Sequence, residues 1–152
     1  MQNEFSEVNR VDHNKEFLSE IARSARMGKE ATVVLMDKVE DDKMRSEIAQ
    51  RKAEYSDLEH RADDLLAQSG TQPEPLPMMS KAGLWMGMQM ETLTDKSDSH
   101  IAEIMIQGSG MGIIEMTKNK KRFSQAQPDT MTLADDFLAM EEGGIQRMKE
   151  FL

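Results

Sequence analysis

No cysteine occurs anywhere in the chain. Its absence removes disulfide staples, thiolate metal sites and a catalytic thiol together, and it is compatible with a reducing compartment. Histidine is nearly as scarce: His13, His60 and His100 are all there is. Positive charge is also in deficit, with 19 Lys and Arg against 28 Asp and Glu, for a net charge of −9. A phosphate-tracking surface needs the opposite balance, so nucleic acid is excluded as a partner. No apolar run approaches the roughly 18 residues of a membrane span. Met1 to Asn14 is polar and acidic, without the apolar stretch behind a positive start that marks a signal peptide. The expected setting is cytoplasmic, away from membranes.

What remains is helical periodicity. Strand alternation is nowhere sustained, and no repeat or low-complexity segment occurs. The chain has 152 residues, a length that suits one domain burying roughly 68–70% of its unfolded surface. The expected division is an N-terminal segment, 1–13, and a bundle domain, 14–152, interrupted by a crossover linker at 70–80. The first helix should run from about His13 to Val39, with Phe17, Ile21, Ala25, Gly28, Thr32, Leu35 and Val39 on one stripe. Three-and-four spacing of this kind is a helix with one buried face. An acidic break at Glu40–Asp42 leads to a second helix, about Asp42 to Ser69, striped by Ile48, Tyr55, Leu58, Ala62 and Leu65. Gly70 stops it as a C-cap glycine would, and the short connection makes the two an antiparallel hairpin.

Pro73, Pro75 and Pro77 in the linker forbid a helix and favour an extended crossing. A short helix is expected over Lys81 to Thr94, then a polar break with Asp98 and Ser99 as N-cap candidates. A third long helix follows from about His100 to Phe123; a single kinked helix over the whole region is the alternative. Pro128 opens the last helix as a proline at its first position should. That helix runs to Leu152, with Leu133, Phe137, Glu141, Ile145, Met148 and Leu152 inward. The short Ser124–Gln127 connection makes the last two helices antiparallel neighbours.

Three of these helices carry a glutamate on the apolar face: Glu59, Glu115 and Glu141. Carboxylate-bridged metal bundles are built this way, but they add a histidine one turn after two of the acids. Here those places hold Ala62, Lys118 and Gly144. A buried carboxylate must otherwise find a partner or take up a proton, and Lys52 and Asn119 are the partners in reach by spacing. Two readings follow: a small hydrogen-bonded polar network, or a carboxylate-only divalent-metal site. On the first, exchanging all three glutamates for glutamine should leave the fold intact.

Gly108, Gly110 and Gly112 lie inside the third helix, each at about 0.5–1 kcal/mol relative to alanine. Close packing of Gly108 against Gly144 is the expected return; a π-bulge or break is the competing reading. Methionine is abundant, with 15 residues. Met86, Met88 and Met90 could offer thioethers to Cu(I) in an extended chain, but on a helix they diverge and fill core or interface gaps. Trp85 beside them reads as an anchor. Lys118, Lys120, Lys121 and Arg122 cluster where a helix ends, complementing its dipole.

The run from Ser97 through Gly108 to Met116 resembles a family of small, uncharacterised bacterial ferritin-like four-helix bundles. That resemblance, over residues 14–152, implies a short helix and a break before the third long helix. Ile104-Met105-Ile106 and Ile114-Glu115-Met116 are also similar to small Met/His copper-handling helical domains. Those domains carry paired histidines between such segments, where this chain has Gly108, Ser109 and Gly110. The expectation is an all-α, ferritin-like up-and-down four-helix bundle with a short extra helix before the third long one. Its expected role is non-enzymatic and cofactor-free, as a scaffold that self-associates or docks a protein partner through its Met-rich region. The alternative is weak binding of iron or another divalent metal through Glu59, Glu115 and Glu141.

Overall fold

The computed structural model describes residues 2–71, 87 and 94–152. The described residues form four long α-helices and no strand: α1, Gln2–Met36; α2, Asp42–Gln68; α3, Asp98–Arg122; and α4, Pro128–Met148. A short 3₁₀ turn, Lys149–Phe151, closes the chain. Pro73, Pro75 and Pro77, Trp85, and Met86, Met88 and Met90 lie outside the described residues, as does most of the expected short helix; within its span Gly87 is helical and Thr94 is not.

Local chemistry accounts for most boundaries. Asp41 caps α2, its carboxylate accepting from the Met44 N–H at 2.8 Å. At the other end Gly70 takes φ 76°. There the Thr71 N–H reaches the Leu66 carbonyl and the Gly70 N–H reaches that of Ala67, which is a Schellman closure. The cap of α3 is Ser97, accepting from the His100 N–H at 3.3 Å, and not Asp98 or Ser99, which form the helix's first turn. Asp95 fixes Ser97 in place by accepting its backbone N–H at 2.9 Å. Pro128 does open α4.

The helix α4 has no cap of its own, because the Gln127 side chain makes no capping bond. Asn14 of α1 supplies one instead. Its carboxamide oxygen accepts from the Gln127 N–H at 3.0 Å and from the Thr130 hydroxyl at 2.6 Å. Phe17 stacks on Phe123 beside it. The helix α1 starts at Gln2 instead of about His13. Its first turns are exposed, with Phe5 73% and Val8 58%, and these apolar residues lie off the buried stripe that begins at Phe17.

Two apolar clusters fill the interior. One joins Phe17, Leu18, Ile21, Ala25, Leu58, Ala62, Leu66, Met116, Phe123, Leu133 and Phe137. The other joins Leu35, Val39, Met44, Ile48, Ile101, Ala102, Met105 and Met148. Burying such side chains contributes about 25 cal/mol per Å² of apolar area, and this is the main term holding the bundle together. The clusters also set direction. The second gathers the end of α1, the starts of α2 and α3, and the end of α4. Each hairpin is therefore antiparallel, while α2 and α3 point the same way, so simple up-and-down alternation is interrupted between the hairpins.

Candidate functional site

Between the two apolar clusters every helix turns small or polar at one level: Gly28 on α1, Arg51 on α2, Ser109 and Gly112 on α3, Glu141 and Gly144 on α4. The centre of this layer is a buried ion pair. Arg51 Nη2 lies 2.8 Å from Glu141 Oε2, with both side chains 2% exposed. The same nitrogen donates to the Tyr55 hydroxyl at 2.9 Å and to Ser109 Oγ at 2.7 Å. Nη1 donates to the Met140 carbonyl at 2.9 Å and approaches its sulfur at 3.3 Å. The Tyr55 hydroxyl in turn donates to the other oxygen of Glu141 in a short bond. Arg51 Nε is buried without a hydrogen-bond partner.

Missing side chains make this packing possible. A Cβ on Gly144 would overlap the Arg51 guanidinium, and one on Gly28 would overlap the Tyr55 ring. The glycine of α4 thus clears space for an arginine, a reason for Gly144 that the sequence reading did not anticipate. Residues 108–112 stay α-helical, without a bulge or break.

Burial alone would lower the guanidinium pKa of Arg51, but the neighbouring oxygens of Tyr55 and Glu141 outweigh it and the net shift is upward. Burial, and then the charge of Glu141, push the Tyr55 phenol well above its ordinary range. A charged arginine and a neutral tyrosine are therefore the stable forms at neutral pH.

The three glutamates picked out by spacing have separate fates. Glu141 is inward, as expected. Glu59 is nearly buried but lies at the α1–α2 seam, where Lys29 Nζ is 2.5 Å away and Arg26 Nε 3.2 Å. Lys52, its expected partner, is exposed. Burial raises the Glu59 pKa, but the bonds from Lys29 and Arg26 outweigh that and hold it below the usual carboxylate value. Glu115 corrects the sequence reading. Its side chain is 65% exposed and pairs loosely with Lys118 at 3.6 Å. Met116, one residue on and about 100° round the helix, is the buried neighbour. The three acids therefore do not converge, and among the described residues no group of three His, Cys, Asp or Glu is placed to hold a metal ion.

Sequence reasoning missed Arg51, although the signal was present. Met44, Ile48, Arg51, Tyr55, Leu58 and Ala62 form one unbroken stripe of buried positions, and the arginine stands in its middle.

Elsewhere, a groove of about 430 Å³ between α2 and α4 is lined by Glu54, Asp57, Arg61, Asp136 and Met140, among others. Its charges pair locally: Arg61 with Asp136 at 2.6 Å and with Asp57 at 3.4 Å, and Glu54 with Arg147 at 3.2 Å. Lys120 of the cationic cluster pairs with Asp135. No described helix is long and apolar enough to cross a membrane.

No family model and no curated protein matches the sequence. A solved structure does match the fold: the crystal structure of a DUF305 fragment from Deinococcus radiodurans superposes with a TM-score of 0.66 over 91% of this chain and 93% of that one. At 15% identity the likeness extends to the helical architecture, that of a family without characterised function.

Proposed function

We propose that this chain is a non-enzymatic helical bundle that works through its surface, as a scaffold or interaction protein, with a ferritin-like arrangement of two hairpins and a crossover in a bacterial cytoplasm. The observation that carries the reading is the exposed apolar row at the start of α1. Phe5, Val8 and Val11 are 73%, 58% and 47% exposed on helical turns that precede the bundle contacts beginning at His13 and Asn14. Apolar side chains held out on an ordered helix are what a protein partner or a second copy would cover. Size-exclusion with light scattering on the wild type and on a Phe5→Glu, Val8→Glu variant tests this. Concentration-dependent association in the wild type, lost in a variant with unchanged helicity, is expected for self-association. A partner of another kind would leave the wild type monomeric but bind it and not the variant. Equal behaviour of both proteins in both assays overturns the reading.

The geometry lends the divalent-metal alternative less support. Glu115 faces solvent, Glu59 is held by two cations of its own chain, and Glu141 is held by Arg51. A ligand that binds only the folded state raises its melting temperature. Iron(II) or manganese(II) added to chelator-treated protein should therefore leave melting unchanged. A rise that disappears in Glu141→Gln would restore the metal reading.

A further inference from the structure

We propose that the centre of the bundle is a guanidinium-binding cage, occupied in the native chain by the protein's own Arg51, and that the cage itself, independent of the tether to α2, holds the cation. The acceptors come from three helices. Met140 offers its carbonyl and sulfur to Nη1, while Tyr55, Ser109 and Glu141 offer oxygens to Nη2. Glu141 supplies the one formal countercharge inside, and its second oxygen is held by Tyr55. Gly144 completes the shape, since a Cβ there would overlap the guanidinium. Five acceptor contacts on two nitrogens of one plane suit a forked cation better than a spherical ion.

The Nε edge adds a second constraint. Buried and without a hydrogen-bond partner, it contributes no polar contact of its own. A free guanidinium in the same place would keep every donor–acceptor contact that the tethered one makes, with its third nitrogen where Nε now lies. An ethylguanidinium would also refill the space of the Arg51 stem and should bind more tightly.

The test is Arg51→Ala titrated with guanidinium chloride at millimolar concentrations, far below its denaturing range. Urea, potassium chloride and magnesium chloride serve as controls, and thermal melting is the readout. The variant should melt below the wild type, and guanidinium should raise its melting temperature saturably, ethylguanidinium at lower concentration, with no response to the controls. Adding Gly144→Ala should then reverse sign with context. In the wild type it should lower the melting temperature, because it displaces the arginine. In Arg51→Ala it should fill the void and abolish the guanidinium response. If Arg51→Ala is unfolded, the same titration is followed by circular dichroism, and recovery of helix at millimolar guanidinium is the supporting result. A folded variant indifferent to guanidinium, an equal response to potassium, a response surviving Gly144→Ala, or an unfolded variant that guanidinium does not restore would each overturn the proposal.

Discussion

Among single residues, burial and partnership decide which glutamate matters. Glu115→Gln should change stability by no more than about 0.5 kcal/mol, as surface substitutions do, because its side chain is 65% exposed. Glu141→Gln keeps the volume but leaves the Arg51 charge uncompensated, and removal of one partner of a buried pair costs about 3–5 kcal/mol. The triple glutamine exchange, benign on the sequence reading, should therefore destabilise the protein, chiefly through position 141 and to a smaller extent through Glu59, which loses its charge beside Lys29 and Arg26. Denaturant midpoints of the single variants check this. Tyr55 gives a pH signature. Its folded pKa is raised, so its contribution is fully present below the unfolded value near 10 and is lost as pH rises towards the folded value. Tyr55→Phe should remove that part of the alkaline decline in melting temperature, and an unchanged slope would count against a neutral phenol at the centre. The sequence showed Glu141 through its place among Phe137, Ala134 and Met148. It hid Arg51, because a stripe searched for apolar residues passes over a charge that its neighbours neutralise. Glu115 misled because the buried face of α3 passes through Ile101, Met105, Ser109 and Met116, the last two about 80° and 60° round from Ile101, whereas position 115 lies about 40° to the other side.

At the level of elements, three of four helices were legible to within a residue or two at their starts because polar breaks and Pro128 mark them locally in sequence. Asp41, Ser97, Gly70 and Pro128 all act within a few residues of themselves. The cap of α4 is the exception, since Asn14 reaches it from α1, and no window along the chain could show that. Asn14→Ala should cost about 1 kcal/mol, the usual value of a lost N-cap, and should raise amide exchange at Gln127 while leaving the α2 cap protected. Exchange unchanged at Gln127 would mean that the contact carries no stability. The early start of α1 was hidden for the opposite reason: residues 3–12 are largely exposed, and Phe5, Val8 and Val11 lie off the stripe that Phe17 begins.

For the molecule as a whole, two apolar clusters with a charged layer between them explain how the hairpins find one alignment. Apolar contacts alone tolerate a helix sliding past its neighbour, whereas Arg51, Tyr55, Ser109 and Glu141 satisfy one another in one register only. Retaining a buried pair for specificity at little net stability is a known use of such groups. The crossover that makes α2 and α3 parallel was foreshadowed by the proline-rich connection, whose own residues lie outside the described structure. A double-mutant cycle on Arg51→Met and Glu141→Leu tests the central claim most directly, by denaturant unfolding of the four proteins. Each single variant should lose about 3–5 kcal/mol, and the double variant, with no charge left unpaired, should be more stable than either. Losses that add to within about 0.5 kcal/mol, as independent sites do, would contradict an Arg51–Glu141 pair at the heart of the bundle.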